Sequence, residues 1–281
     1  MAVLTCCLFL VAGMHSQSIP LHPSRAAESD LEISGSGPAL RGQVRFLRYA
    51  DLLKLPQVSY EISDDTNFKP KTRISGIELD QLKRAVDQTA VGDLVVAICN
   101  DGYRTNYPTA YLRAHRPLLV LKVNDKPPAE WPKSHDGGDM GPYVISHPAF
   151  TPAFKVLSHT DEPQIPYGVV RLEFRDERQV FGAIRPRGQH LPDSAVWKGY
   201  RIAQQNCFRC HNYGEEGGRM AGHPWQVLGA WAAADPAHFR AYVRNPRALN
   251  ASGHMPGNPQ YDDETIEVIR RYFVTFAART N

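Results

Sequence analysis

The sequence predicts a multidomain protein in which a mixed α/β, sheet-rich domain over residues 41–182 is joined through 183–192 to an all-α domain over 193–281. Three observations predict this. A chain of 281 residues with 42% hydrophobic content is long enough to fill two modest cores. Up to about Phe181 the apolar residues alternate or run on continuously, as strands require. Beyond "AIRPRGQHLPDS", residues 183–194, which has no period, they recur at helical spacing.

The elements follow in order. "VSYEIS" sets Val58, Tyr60 and Ile62 against polar neighbours, predicting a strand with one buried face. "GIELDQLKRAV" repeats Leu79, Leu82 and Val86 with the spacing of a short helix. "DLVVAIC" and "PLLVLKV" are apolar almost throughout and rich in β-branched residues, so they read as strands buried on both faces. "PAEWPKSHDGGDMGPY", residues 128–143, is dense in Gly, Pro and Asp and predicts a loop, with "HDGGD" (His135 to Asp139) as plain flexible chain rather than a metal site. "GVVRLEF" alternates Val170, Leu172 and Phe174 against Val169, Arg171 and Glu173, another half-buried strand.

In the second part, Asp193 or Ser194 caps a helix carrying Val196, Tyr200 and Ala203 on one face. "DPAHFRAYVRN" predicts another, with Pro236 in its first turn and Phe239, Tyr242 and Val243 inward. "DDETIEVIRRYFVTFAAR" is the clearest helix. Asp262, Asp263 and Glu264 lie at its positive end, Arg279 at the other, and Ile266, Ile269, Phe273 and Phe276 form its stripe.

At the N-terminus, "MAVLTCCLFLVAGM" has the length and apolarity of the central region of an export signal, with cleavage between Gly13 and Ser18. Residues 1–18 are therefore expected to be a signal peptide, 19–40 a flexible segment, and the protein periplasmic or otherwise exported. The run is too short to span a bilayer of about 30 Å, so no transmembrane segment is expected in the mature chain. No lipidation site follows Cys6 and Cys7, and cleavage leaves Cys99, Cys207 and Cys210. The net charge of +3, with no basic run interleaved with aromatics, does not argue for nucleic acid.

The chemistry is concentrated in "QQNCFRCHNYGEEGGRM". A Cys-x-x-Cys pair has three readings. Structural zinc needs four ligands, but no second pair follows, and His223 and His254 fit no common finger spacing. A thioredoxin-like redox pair opens a helix in a βαβ setting, whereas this one ends a helix. Cys-x-x-Cys-His is the attachment signature of c-type haem, with thioethers at Cys207 and Cys210 and His211 as axial ligand. For the sixth position the chain offers Met140, Met220 and Met255, with His223, His238 and His254. Met220 is close to His211 for a wrap around a ring edge. Met255, in the polar loop "SGHMPGNPQ", is the expected ligand, with His254 as its rival.

Residues from about 193 to 278 resemble a class I cytochrome c domain, through the first helix with Gly199, "CFRCH", a "GHPW" turn, "VRNPRALNASGHMP" and a last amphipathic helix bearing Tyr272. The resemblance covers about a third of the chain. It implies that Gly199 and Tyr272 meet where those helices cross, and that the Pro224 carbonyl orients the proximal imidazole.

The first domain resembles the molybdopterin-binding fold of the sulfite oxidase family. The matching pieces are "RISGIELDQL", "VVAICNDGYRTNYP", "LVLKVNDKPP" and "MGPYVISHP". That family implies a molybdenum-ligating cysteine before "SGIEL", where this chain has "PQVSYEISDDTNFKP" and no cysteine, so molybdopterin is not expected. Cys99 reads as a buried core thiol. Asp101, Tyr103, Arg104 and Tyr107 read as the lining of a relic pocket or partner surface, or simply as residues around an Asn100-Asp101-Gly102 turn.

The leading expectation is an exported electron carrier with one covalent haem c, bound to redox protein partners, its first domain serving docking or assembly. The alternatives are a molybdenum-dependent oxidoreductase with a fused haem acceptor, and a structural haem subunit of a larger respiratory or dehydrogenase complex.

Overall fold

The computed structural model describes residues 18–62, 65–69, 71–134, 137–148 and 164–277. The expected signal region up to Gln17, His135 of the "HDGGD" loop and Arg279 of the last helix lie outside the described residues.

The elements are β1 (Leu31–Gly35), β2 (Arg45–Leu47), α1 (Tyr49–Leu52), β3 (Val58–Glu61), β4 (Arg73–Glu78), α2 (Leu79–Ala85), β5 (Leu94–Cys99), β6 (Arg104–Pro108), α3 (Thr109–His115), β7 (Leu118–Val123), β8 (Val144–Ser146) and β9 (Val169–Arg175). Then follow α4 (Glu177–Gly182), α5 (Ala195–Asn206), β10 (Asn212–Tyr213), β11 (Glu216–Gly217), α6 (Trp225–Ala234), α7 (Pro236–Arg244), α8 (Pro246–Leu249) and α9 (Asp263–Val274).

One sheet runs β2-β1-β9-β5-β6, antiparallel except for β1 beside β9. A second runs β3-β4-β7-β8, antiparallel throughout. The period of two in β5 and β7 divides their side chains between separate cores. Val95, Ala97 and Cys99 of β5 join Leu119 and Leu121 of β7 in the core shared with α2 and α3. Leu118 and Val120 enter a smaller core with Ile62, Ile74 and Val144. Leu94 and Val96 face the opposite way, toward the C-terminal helices.

That last contact overturns the expected fold class. The chain is a mixed α/β protein with several sheets, and an all-α C-terminal cytochrome c domain is not what it forms. Leu94 and Val96 of β5 and Val180, Phe181 and Ile184 share one buried cluster with Ile202, Trp225, Ile269 and Phe273. The segment after α5 also carries the two-stranded ribbon β10-β11. The reason is physical: β5 is apolar on both faces, and the apolar stripes of α5 and α9 are the cover for the second one.

Two further expectations change with it. The segment 19–40 contains β1, which lies between β2 and β9, and Ile19, Leu31, Ile33 and Leu40 are buried. Within 183–192, Ile184 is fully buried and its carbonyl accepts from the Tyr272 hydroxyl at 2.6 Å.

Helices α5 and α9 cross tightly, and α9 also packs on α6 and α7. Asp262 caps α9 by accepting from the Thr265 N–H at 2.8 Å. Among the described residues no helix is long and apolar enough to cross a membrane.

Candidate functional site

The end of α5 sets the site. Cys207 is its C-cap, and its carbonyl accepts from the backbone N–H of Cys210 at 3.2 Å and of His211 at 3.0 Å, coiling "CFRCH" into a tight turn. Phe208 points inward, fully buried, with its ring 5.5 Å from that of Trp225 and 6.3 Å from that of Phe181. With Phe208 anchored, Cys207, Arg209, Cys210 and His211 line a cavity on the other side of the turn. The returning chain is pressed against the motif: a Cβ at Gly218 would stand 1.7 Å from the Arg209 carbonyl oxygen, so only glycine fits there.

The cavity encloses about 690 Å³, within the usual range for a ligand pocket. Leu228, Phe239, Val243, Ile269 and Phe273 form an apolar wall. The sheet body forms another, from Cys99, Asp101 and Tyr103 of the β5–β6 turn and Ile165, Pro166 and Tyr167 ahead of β9. Asp101 and Tyr103, expected at a relic pocket, a partner surface or a plain turn, line this cavity, whereas Arg104 does not and Tyr107 is fully buried in the sheet core. The turn is held to the cysteine motif by backbone bonds from Arg104 N–H to the Arg209 carbonyl and from Arg219 N–H to the Gly102 carbonyl, both 2.9 Å.

His211 is buried, and its Nδ1 donates to the carbonyl of His223 at 2.7 Å. That bond assigns the proton to Nδ1 and leaves the Nε2 lone pair for a ligand. Burial lowers the imidazole pKa and the neighbouring His223 ring lowers it further, against the opposing effect of the backbone bond, which favours the neutral, ligating form. The orienting carbonyl is that of His223 and not of Pro224. Pro224 is the N-cap of α6, and its carbonyl accepts from the Val227 N–H at 2.9 Å, inside that helix. A proline at a helix entry commits its own carbonyl to the first turn and leaves the preceding one free to point back.

Of the thioether and imidazole candidates, Met220, Met255, His223, His238 and His254 all line the cavity. Met140 is buried in the core under β7 instead. Met255 is half-buried against the helical core, while His254 beside it is exposed. The loop bearing Met255 is pinned at its far end, where Tyr261 accepts from Asn206 Nδ2 at 2.9 Å and Asn258 Nδ2 donates to the Val243 carbonyl at 3.0 Å. Asn206 immediately precedes Cys207, so one bond couples the two sides of the site. Met220 is 48% exposed, with its sulfur 3.8 Å from Cys210 Sγ.

No disulfide joins Cys99, Cys207 and Cys210 to one another. Burial pushes the Cys210 thiol up to about 11, and burial also raises Cys99. Thiols held protonated are poorly suited to disulfide exchange, which needs a thiolate. Among the described residues no group of three or more His, Cys, Asp or Glu is placed to hold a metal ion. Two thiols, one neutral imidazole and one thioether converging on an apolar cavity do fit a covalently tethered haem.

No protein-family model matches the chain, and no curated protein does. Among solved structures the chain is similar to the sulfane dehydrogenase SoxCD from Paracoccus pantotrophus, with 12% sequence identity and a TM-score of 0.35. The match covers 55% of this chain and 40% of that one, so this chain spans less than half of that relative's length.

Proposed function

We propose that the protein is an exported electron carrier holding one covalently attached haem c and exchanging single electrons with redox protein partners. The observation that carries this reading is the convergence of Cys207, Cys210 and His211 with Met255, 44 residues beyond the imidazole, on one mainly apolar cavity. Cys207 and Cys210 would hold the group through thioethers, with His211 and Met255 on its iron; when bound, it supplies reversible one-electron chemistry. The chain does the rest. The His223 carbonyl keeps the His211 ring in one orientation and tautomer. Phe239, Ile269 and Phe273 exclude water from the cavity, and the Asn206–Tyr261 bond fixes the Met255 loop against the cysteine turn. The sheet body closes the remaining side through Cys99, Asp101 and Tyr103, a structural role consistent with docking or assembly rather than catalysis.

The test is an optical spectrum and metal analysis of protein produced in a host that matures c-type cytochromes. One iron per chain, haem retained after denaturation and acid–acetone extraction, and no molybdenum are the expected results. Stoichiometric zinc or molybdenum, or haem that extracts freely from the wild-type chain, overturns the reading.

A further inference from the structure

On the sheet body, away from the haem cavity, a second cleft of about 480 Å³ lies between α2, α3 and the loop from Thr89 to Asp93. Lys83 lines it. The residue is only 4% exposed, yet among the described residues its ammonium has no hydrogen bond and no ion pair. Every other charged group in the cleft has been assigned a partner except Arg113. Asp80 pairs with Arg84 on the same helix. Asp93 accepts from the Glu177 N–H at 2.6 Å, and Asp176 caps α4 through the Gln179 N–H at 2.9 Å. Thr109 donates to the Asp93 carbonyl at 3.0 Å, and Thr89 also lines the cleft. The carboxylates are thus turned to backbone donors and to Arg84, while two cations point into the space without an acceptor.

The stem of Lys83 is buried and its ammonium reaches the cleft, where no acceptor is within hydrogen-bond distance and its desolvation is only partly offset by Asp80 and Asp93. Burial, with Arg113 acting in the same direction, lowers the Lys83 pKa despite Asp80 and Asp93 nearby. An anion in the cleft would supply the missing acceptor for both groups. Lysine offers three donors around a point charge and arginine a planar fork, the pair that recognises multi-oxygen anions.

We propose that this cleft binds a small oxyanion, a phosphate or sulfate group, with Lys83 in its floor, Arg113 at its mouth and the Thr89 hydroxyl as a further donor. The site is independent of the haem reading, and its failure would leave that reading untouched.

Calorimetric titration of the purified full-length chain at low ionic strength, with inorganic phosphate, sulfate and glycerol phosphate as separate probes, tests it. Saturable one-to-one binding of at least one probe is expected, weakened about tenfold or more in Lys83→Met, the scale of one charge-assisted hydrogen bond. Arg113→Gln, a surface change that leaves the fold intact, should weaken it several-fold. Tighter binding of the ester marks an esterified ligand, and tighter binding of the inorganic ions a free one. No saturable binding, or equal affinity in wild type and both variants, overturns the proposal.

Discussion

Gly199 of α5 lies directly on the Val268 carbonyl of α9: a Cβ at Gly199 would stand 2.0 Å from that oxygen and 2.8 Å from Tyr272 Cβ. The two helices touch backbone to backbone there, and the cysteine turn hangs from the end of one of them. Gly199→Ala would gain up to about 1 kcal/mol of helix propensity but must force the helices apart, at a cost of about 1–3 kcal/mol or more. A fall in Tm of roughly 5 °C or more is expected by calorimetry.

Tyr272 holds three segments together. Its hydroxyl accepts from Trp225 Nε1 at 2.9 Å and donates to the Ile184 carbonyl at 2.6 Å, all of it buried. Tyr272→Phe would orphan a buried donor and a buried acceptor, each worth about 1–3 kcal/mol. Chemical denaturation should show a loss of about 2–4 kcal/mol, less than the sum of the upper limits because the groups share one hydroxyl.

Glu267 on α9 is ringed by Arg270, Arg271 and Arg240, within 2.8 to 3.0 Å. Hydrogen bonds from Arg270 and then Arg271 hold its carboxyl well below its ordinary value, at about 2. A depressed folded-state pKa contributes stability that is present above the unfolded value and is lost as pH falls toward the folded one. Glu267→Gln should therefore destabilise the protein by about 1–2 kcal/mol at pH 7, after discounting for solvent screening of the partly exposed arginines. The difference from wild type should shrink as pH falls from about 4.5 and vanish near 2, read from urea midpoints across that range.

For the proposed haem, the sixth ligand separates three residues on one cavity. Met255→Ala should allow the reduced protein to bind carbon monoxide, whereas Met220→Ala and His254→Ala should leave it as unreactive as wild type. Rapid carbon monoxide binding by the wild-type protein would remove Met255 from the site.

Local pattern made much of this legible. The continuous apolar runs at Leu94–Cys99 and Leu118–Val123 and the stripes of α5, α7 and α9 are all written in short windows of sequence. Helix α6 carries no such signal, because "WQVLGAWAAA" is apolar nearly all round and has no polar face to set a period. Its alanine content was the usable signal. Strands β10 and β11, two residues each, are too short to carry an alternation.

By itself the sequence determined the cysteine turn and the imidazole beside it, since both depend on residue type and near spacing; Met255, 44 residues away, is a ligand only in the proposed reading. Only the tertiary structure decided that β1 enters the sheet, that the His223 carbonyl accepts a hydrogen bond from His211 Nδ1, and that Cys99, Asp101 and Tyr103 close the same cavity. Those outcomes join segments as far apart as Tyr103 and Arg209. The period of a strand says how many faces must be covered, but which remote helix covers them is settled only when β5 meets α5 and α9.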